Sequence, residues 1–400
     1  MELDKNSTVT MHELAFHRES ENEIVVGRPE IGAYIKLSPI GYEIIEYLQQ
    51  GNSLGETEQI LIRKYGESID VAEFVETLTV EYKMVYRLNG VIVNEAVPQQ
   101  EHGAWIPKQT GRILFHPIAC FAYFAILLSA IGVALYDTSY FPEFREVLTA
   151  SSTPMIVVIS ILAAWFLLFL HELAHLVAAR ALGVQCRIGL GHRLIFPVAE
   201  TDMSGIVLVP RNHRYKAYLA GMCWDGVFLS LGIWLQRLHD LHYIFIDGSV
   251  LQTIRLINCH LAALMLFQFL FFMKTDLYYV FTNYFRCPDL LEHTYLYFKR
   301  IFRRDADTLE QWNEIALREK RMIYAFAWFY MVGVLFTALV GILYQIPNVY
   351  RSLADSLDQL SRSSLMSWGF AAGTLLIMVV LLPNAILLWS WLRTVKKERT

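Results

Sequence analysis

Cysteine is scarce and scattered in this 400-residue chain. There are five, Cys120, Cys186, Cys223, Cys259 and Cys287, and none form a C-x-x-C pair. That spacing excludes a disulfide framework and a zinc knuckle, and leaves the five as small apolar residues. Basic charge is scarce at the front. Residues 1–100 carry 8 Lys+Arg against 17 Asp+Glu, a net of −9; the whole chain is −4, which leaves +5 for residues 101–400. So acidic a front argues against nucleic-acid binding by that half. Met1 to Glu21 is polar and acidic, so no cleavable signal peptide is expected there. A transporter subunit is disfavoured too, since no nucleotide-binding loop and no paired repeat is evident.

What the chain has in excess is apolar residues, 55% of the total. That is more than one soluble core needs and predicts a polytopic α-helical membrane protein of about six transmembrane helices. The six segments lie at 113–136, 155–182, 217–236, 253–273, 323–346 and 366–392, each near the twenty residues that cross a bilayer. Their connections alternate in charge. Loop 137–154 has one basic residue, Arg145, whereas Arg187, Arg193, Arg211, Arg214 and Lys216 follow the second segment. Loop 286–322 is the most basic, and the chain ends Arg393, Lys396, Lys397, Arg399. Basic loops stay in the cytoplasm, so both termini and the even-numbered connections are placed there, and the chain in a cell membrane.

Within the second segment sits His171-Glu172-Leu173-Ala174-His175, after sixteen residues without a charge. Positions i and i+4 share a helix face, so the two histidines can grip one metal ion. Glu172 lies beside them, placed to take a proton from water activated by that metal. The competing reading is a satisfied polar cluster between helices, but ionisable groups inside a span are costly and point to a functional site. A near miss at His12-Glu13-Leu14-Ala15-Phe16-His17 has its histidines five apart and reads as a surface segment. In the topology above, the second and fourth segments both run inward. Asp276, just past the fourth, then reaches the depth of His171 and His175. Catalytic zinc takes three protein ligands and a water, which makes Asp276 the candidate third ligand. Asp225, in the third segment, is a candidate partner for a site histidine or for substrate backbone, with a helix–helix hydrogen bond as the alternative. Lys274 is a candidate of the same kind, and also a candidate ion-pair partner of Asp276. His260 and His293 are rival ligands placed too far away, in the outer half of a span and in a soluble loop.

Residues 1–20 read as a flexible tail, 21–98 as a small α+β winged-helix-like domain, 99–112 as a polar linker, and 113–400 as the membrane domain. Ile24-Val25-Val26 and Ala33 to Leu37 have strand character across Gly27 to Glu30. Ser38-Pro39 opens a helix with Ile40, Ile44, Ile45 and Leu48 on one face. A second helix is expected over 54–65 and a third after Asp70, with Val71, Phe74, Val75 and Leu78 inward. Asn89-Gly90 marks a hairpin. Residues Val184 to Val209 are not a span: Leu194-Ile195-Phe196 and Ile206 to Val209 read as interfacial strands beside the site, whose edge could hold an extended substrate. An ordinary surface loop is the alternative.

Two resemblances follow from these residues. The order of elements over about 75 residues, with Gly32-Ala33-Tyr34, Leu37-Ser38-Pro39, Ile44 to Leu48 and Asp70-Val71 to Leu78, resembles the PqqD-like domains that recognise leader peptides in ribosomal peptide modification systems. Residues from about 155 to 290 resemble the site-2-type intramembrane metalloproteases, and among them the peptide zinc metalloproteases of bacteriocin and modified-peptide systems. That family's later K-T-D-G-Y element appears as Lys274-Thr275-Asp276-Leu277-Tyr278, with Leu277 for Gly and with Phe271 where Pro is usual. Its A-G-P-x-x-N element appears as Ala220-Gly221-Met222-Cys223-Trp224-Asp225. The resemblance implies zinc on His171, His175 and Asp276, Glu172 as the catalytic base, and a precursor or leader peptide as substrate. It also implies an associated export or modification system. A non-catalytic peptide-binding chaperone, immunity or export accessory protein is the competing class, since Leu277 and Phe271 depart from the pattern.

Overall fold

The computed structural model describes residues 3–67, 69–95, 103–142, 154–193, 196–303 and 305–362, with parts of 370–392. The chain divides into two compact units. One comprises Met1–Arg112, Leu176–Arg187 and Asp202–Ala217; the other comprises Ile113–His175, Ile188–Thr201 and Tyr218–Thr400.

The first unit contains strands β1 (Val9–Met11), β2 (Ala15–Arg18), β3 (Ile24–Arg28) and β4 (Ala33–Leu37), then helices α1 (Pro39–Gln49), α2 (Leu54–Tyr65) and α3 (Val71–Val80), and the short pair β5 (Val85–Leu88) and β6 (Val91–Ile92). The strands form two antiparallel three-stranded sheets, ordered β1-β5-β6 and β2-β3-β4. Each helix start has its cap: the side chains of Ser38, Ser53 and Asp70 accept the N–H groups of Gly41, Glu56 and Glu73. Each such cap contributes about 1 kcal/mol. The expected helix faces meet in one core with Ile24, Val26, Ile44, Ile45, Leu48, Leu61, Val75, Leu78 and Val85. Asn89 and Gly90 both take positive φ, as a tight hairpin turn requires.

Residues 3–20, the described part of the expected tail, are not loose. β1 pairs with β5 through Val9↔Leu88, β2 pairs with β3 through Phe16↔Val26, and Val9 is buried. Sheet edges need hydrogen-bond partners, and strands of three and four residues supply them. The His12 to His17 segment accordingly runs as loop and strand, with the His12 ring buried against Tyr86. The expected linker is also structured where it is described. Lys108–Leu114 is a helix (α4), the carbonyls of Ala104 and Ile106 accept from Arg180, and Gly111 packs on the Val177 carbonyl. Two further ties bring later chain into this unit. Glu19 receives both Arg211 and Arg214, and Arg187 donates to the Glu30 carbonyl.

The second unit is helical: α5 (Pro117–Tyr136), α6 (Pro154–Ala181, which continues into the first unit), α8 (Ala220–Asp240, after the short α7, Arg211–Tyr218, of the first unit) and α9 (Gly248–Phe267). Beyond them lie α10 (Asp276–Phe285), α11 (Leu290–Phe302), α12 (Ala306–Glu314), α13 (Leu317–Val340) and α14 (Ile346–Arg362). Among the described residues, four helices are long and apolar enough to cross a membrane: Pro117–Tyr136, Ile159–Ala181, Gly248–Phe267 and the run Leu317–Arg362. A fifth arises if the pair Arg211–Tyr218 and Ala220–Asp240, bent by 43°, is one span. About half of the expected segment 366–392 lies outside the described residues. Small residues let these helices close up. Ala130 and Ala134 of α5 are buried against Ile233 of α8, and a Cβ on Gly232 would meet the Asn258 side chain at 2.1 Å. Outward, α5 exposes Ile118, Phe121, Phe124, Leu128 and Leu135, a surface suited to hydrocarbon.

The β region expected after the second segment is a hairpin, β7 (Arg187–Arg193) with β8 (Phe196–Asp202). Leu194 and Ile195 lie outside the described residues. Ile206 to Val209 is not a strand: Ser204–Leu208 is a 3-10 turn. Four apolar residues in a row favour burial as much as extension, and here a turn buries Ile206 and Val209.

Deleting residues 1–12 from the full chain should leave β5 without one partner. Limited proteolysis in detergent should then cut within 85–92 several-fold faster; an unchanged rate would mean that β1 does not support the domain.

Candidate metal centre

Helix α6 carries His171 and His175 one turn apart, and both imidazoles are buried at 2% exposure. The third side chain arrives from a break between helices. After α9 ends at Phe267 the chain makes a 3-10 turn over Phe271–Met273, Lys274 takes φ +53°, and α10 begins at Asp276. The break forms without the glycine and proline expected there. A lysine takes the left-handed conformation, and Phe272 seats its ring against Gly333, where a Cβ would lie 2.3 Å away.

Buried backbone in such a break needs partners. Gln268 supplies them. Its side-chain oxygen accepts the Asp276 N–H at 3.0 Å, and its carbonyl accepts the Thr275 hydroxyl at 2.6 Å. Its amide nitrogen lies 3.5 Å from His171 Nε2.

The result is a tight triangle. Asp276 Oδ2 is 3.0 Å from His171 Nε2 and 3.0 Å from His175 Nε2, and the two nitrogens are 3.2 Å apart. Two nitrogens and one oxygen held tetrahedrally at zinc bond lengths would be separated by about 3.3 Å. The donor set and its spacing therefore fit a metal ion, and His171, His175 and Asp276 form a group that could hold one.

Behind the triangle, His171 Nδ1 donates to Asp225 Oδ2 at 2.6 Å, and Asp225 is 1% exposed. A carboxylate can only accept, so it fixes the proton on Nδ1 and leaves the Nε2 lone pair facing the ligand position. Gly221 lets α8 come this close, since a Cβ there would sit 2.4 Å from His171 Nε2. Glu172, 7% exposed, accepts the Thr201 hydroxyl at Oε2 over 2.8 Å.

Of the expected site residues, His171, His175, Asp276 and Asp225 come together, with Glu172 next to them in the chain. Lys274 contributes its backbone, while its ammonium pairs with Glu292 and not with Asp276. His260 bonds Ser160, about 16 Å along α6 from His171, and His293 faces Glu319. Sequence reasoning missed Gln268 and Thr201. Gln268 carried a signal, as an amide in the apolar run Leu266-Phe267-Gln268-Phe269-Leu270. Thr201 carried none. No known family model matches the chain, and comparisons with curated proteins and with solved structures return no match.

Gly221→Ala should displace the His171 imidazole and abolish tight metal binding while leaving the helical circular dichroism unchanged. Asp225→Asn should weaken metal affinity by roughly 10–100-fold. Isothermal titration with zinc measures both, and wild-type affinity in either variant would refute the corresponding contact.

Proposed function

We propose that this chain is a membrane-embedded, zinc-dependent endopeptidase acting on a ribosomally made precursor or membrane-associated peptide. The observation that carries the reading is the convergence of His171, His175 and Asp276, with Glu172 adjacent to the two histidines and Asp225 behind one of them. Two imidazoles and a carboxylate suit zinc better than calcium or magnesium, which prefer oxygen donors throughout. When bound, zinc would supply Lewis acidity toward water and the scissile carbonyl. Glu172 takes the proton from the attacking water and returns it to the leaving amine. Asp225 keeps His171 in one tautomer, and Gln268 holds the Asp276 backbone in place while its amide faces the ligand position. Burial of both histidines and of Asp225 limits the access of bulk water, while Asp276 stays 15% exposed.

The front of the chain, with helices α1 to α3 and two small sheets, fits the role of peptide capture expected of a PqqD-like domain, which would raise the local concentration of substrate. The apolar helices fit an integral protein of the bacterial cell membrane with both termini in the cytoplasm. A companion export or modification system fits the same reading. A break that forms without its usual glycine and proline supports the enzyme over a non-catalytic peptide-binding relative, because Leu277 and Phe271 leave the position of Asp276 intact.

Mass spectrometry of protein prepared in detergent without chelators should find about one zinc per chain, lost in Asp276→Ala. Glu172→Gln should keep the zinc and lose cleavage of a precursor peptide by on the order of 10²–10⁴-fold. Zinc absent from the wild type would sink the reading; zinc present but cleavage unaffected in Glu172→Gln would remove Glu172 as the base.

A further inference from the structure

The β7–β8 hairpin reaches the site through one side chain. Thr201, the penultimate residue of β8, places its hydroxyl 2.8 Å from Glu172 Oε2 and 3.1 Å from the Glu172 carbonyl. A hydroxyl has one proton to give, and the shorter contact goes to the carboxylate. Among the described residues no other group donates to that carboxylate. Hydrogen bonding engages Oε2 and leaves Oε1 for proton transfer. A threonine does this better than a freely rotating donor, since branching at Cβ restricts χ1 and fixes the direction of the hydroxyl.

From this geometry we infer that Thr201 is a positioning residue for Glu172, so that the hairpin sets where the base points. The inference rests on the reading of Glu172 as the base. It adds a form of control: whatever shifts β8 shifts the carboxylate, while the three ligand side chains stay on α6 and α10.

The test uses the full chain in detergent, loaded with cobalt(II) alone, comparing wild type, Glu172→Gln, Thr201→Val and Thr201→Ser. The ligand-field spectrum reports the hydrogen bonding of the solvent position on the metal and needs no substrate. All four proteins are expected to bind about one cobalt per chain. Thr201→Val should move the visible bands toward those of Glu172→Gln, and Thr201→Ser should restore the wild-type bands. A Thr201→Val spectrum identical to wild type, beside an altered Glu172→Gln spectrum, would overturn the inference and leave the peptidase reading standing. Cobalt lost in Thr201→Val would also overturn it, by making Thr201 a support of the ligands. An unaltered Glu172→Gln spectrum, or no cobalt in wild type, would end both.

Discussion

Two imidazole nitrogens 3.2 Å apart, with a carboxylate oxygen 3.0 Å from each, crowd three acceptors into one place and call for positive charge between them, from a proton or from a cation. That constraint governs the surrounding structure. Ionisable and directed inward, with both histidines buried and Asp276 15% exposed, the three groups would gain from a shared cation part of what they lose by leaving water. The cost of holding them in readiness is visible in each element that supplies one. Helix α6 contributes two adjacent turns. The α9–α10 junction gives up continuous helix to deliver Asp276. Helix α8 gives up a side chain at Gly221 so that Asp225 can stand behind His171.

The junction shows how irregular backbone survives in apolar surroundings. Eight residues from Gln268 to Thr275 leave regular α-helical hydrogen bonding, and the freed groups are taken up locally. Gln268 serves both ends, accepting from Thr275 through its carbonyl and from Asp276 through its side chain. Lys274 adopts a left-handed backbone that a glycine would enter more easily, and its ammonium is held by Glu292. A turn of this kind depends on its partners rather than on the residue at its sharpest point.

Much of this could be read in advance, for reasons that differ by element. Caps and apolar faces are local, so α1 and α3 were legible from Ser38, Asp70 and the spacing of Ile44, Leu48, Val75 and Leu78, and α2 from its span 54–65. The i, i+4 histidines declared a helix face, and Asp276 followed from charge asymmetry among the loops and from the zinc coordination number. Strands of three or four residues have too little pattern to read, and so β1 and β2 passed for a tail. The linker seemed polar because its partners, Val177 and Arg180, lie seventy residues downstream. Thr201 was silent because a hydroxyl in a strand has no pattern; only the fold brings it to Glu172.

Gly221 also bears on how such a site changes over time. A methyl group at that position occupies the space of the imidazole, so the glycine and His171 stand or fall together. A descendant chain whose histidine had left this place would at once be free to exchange the glycine for a larger residue. A side chain at 221 is therefore a marker, readable without any assay, of a lineage in which the imidazole no longer fills this space.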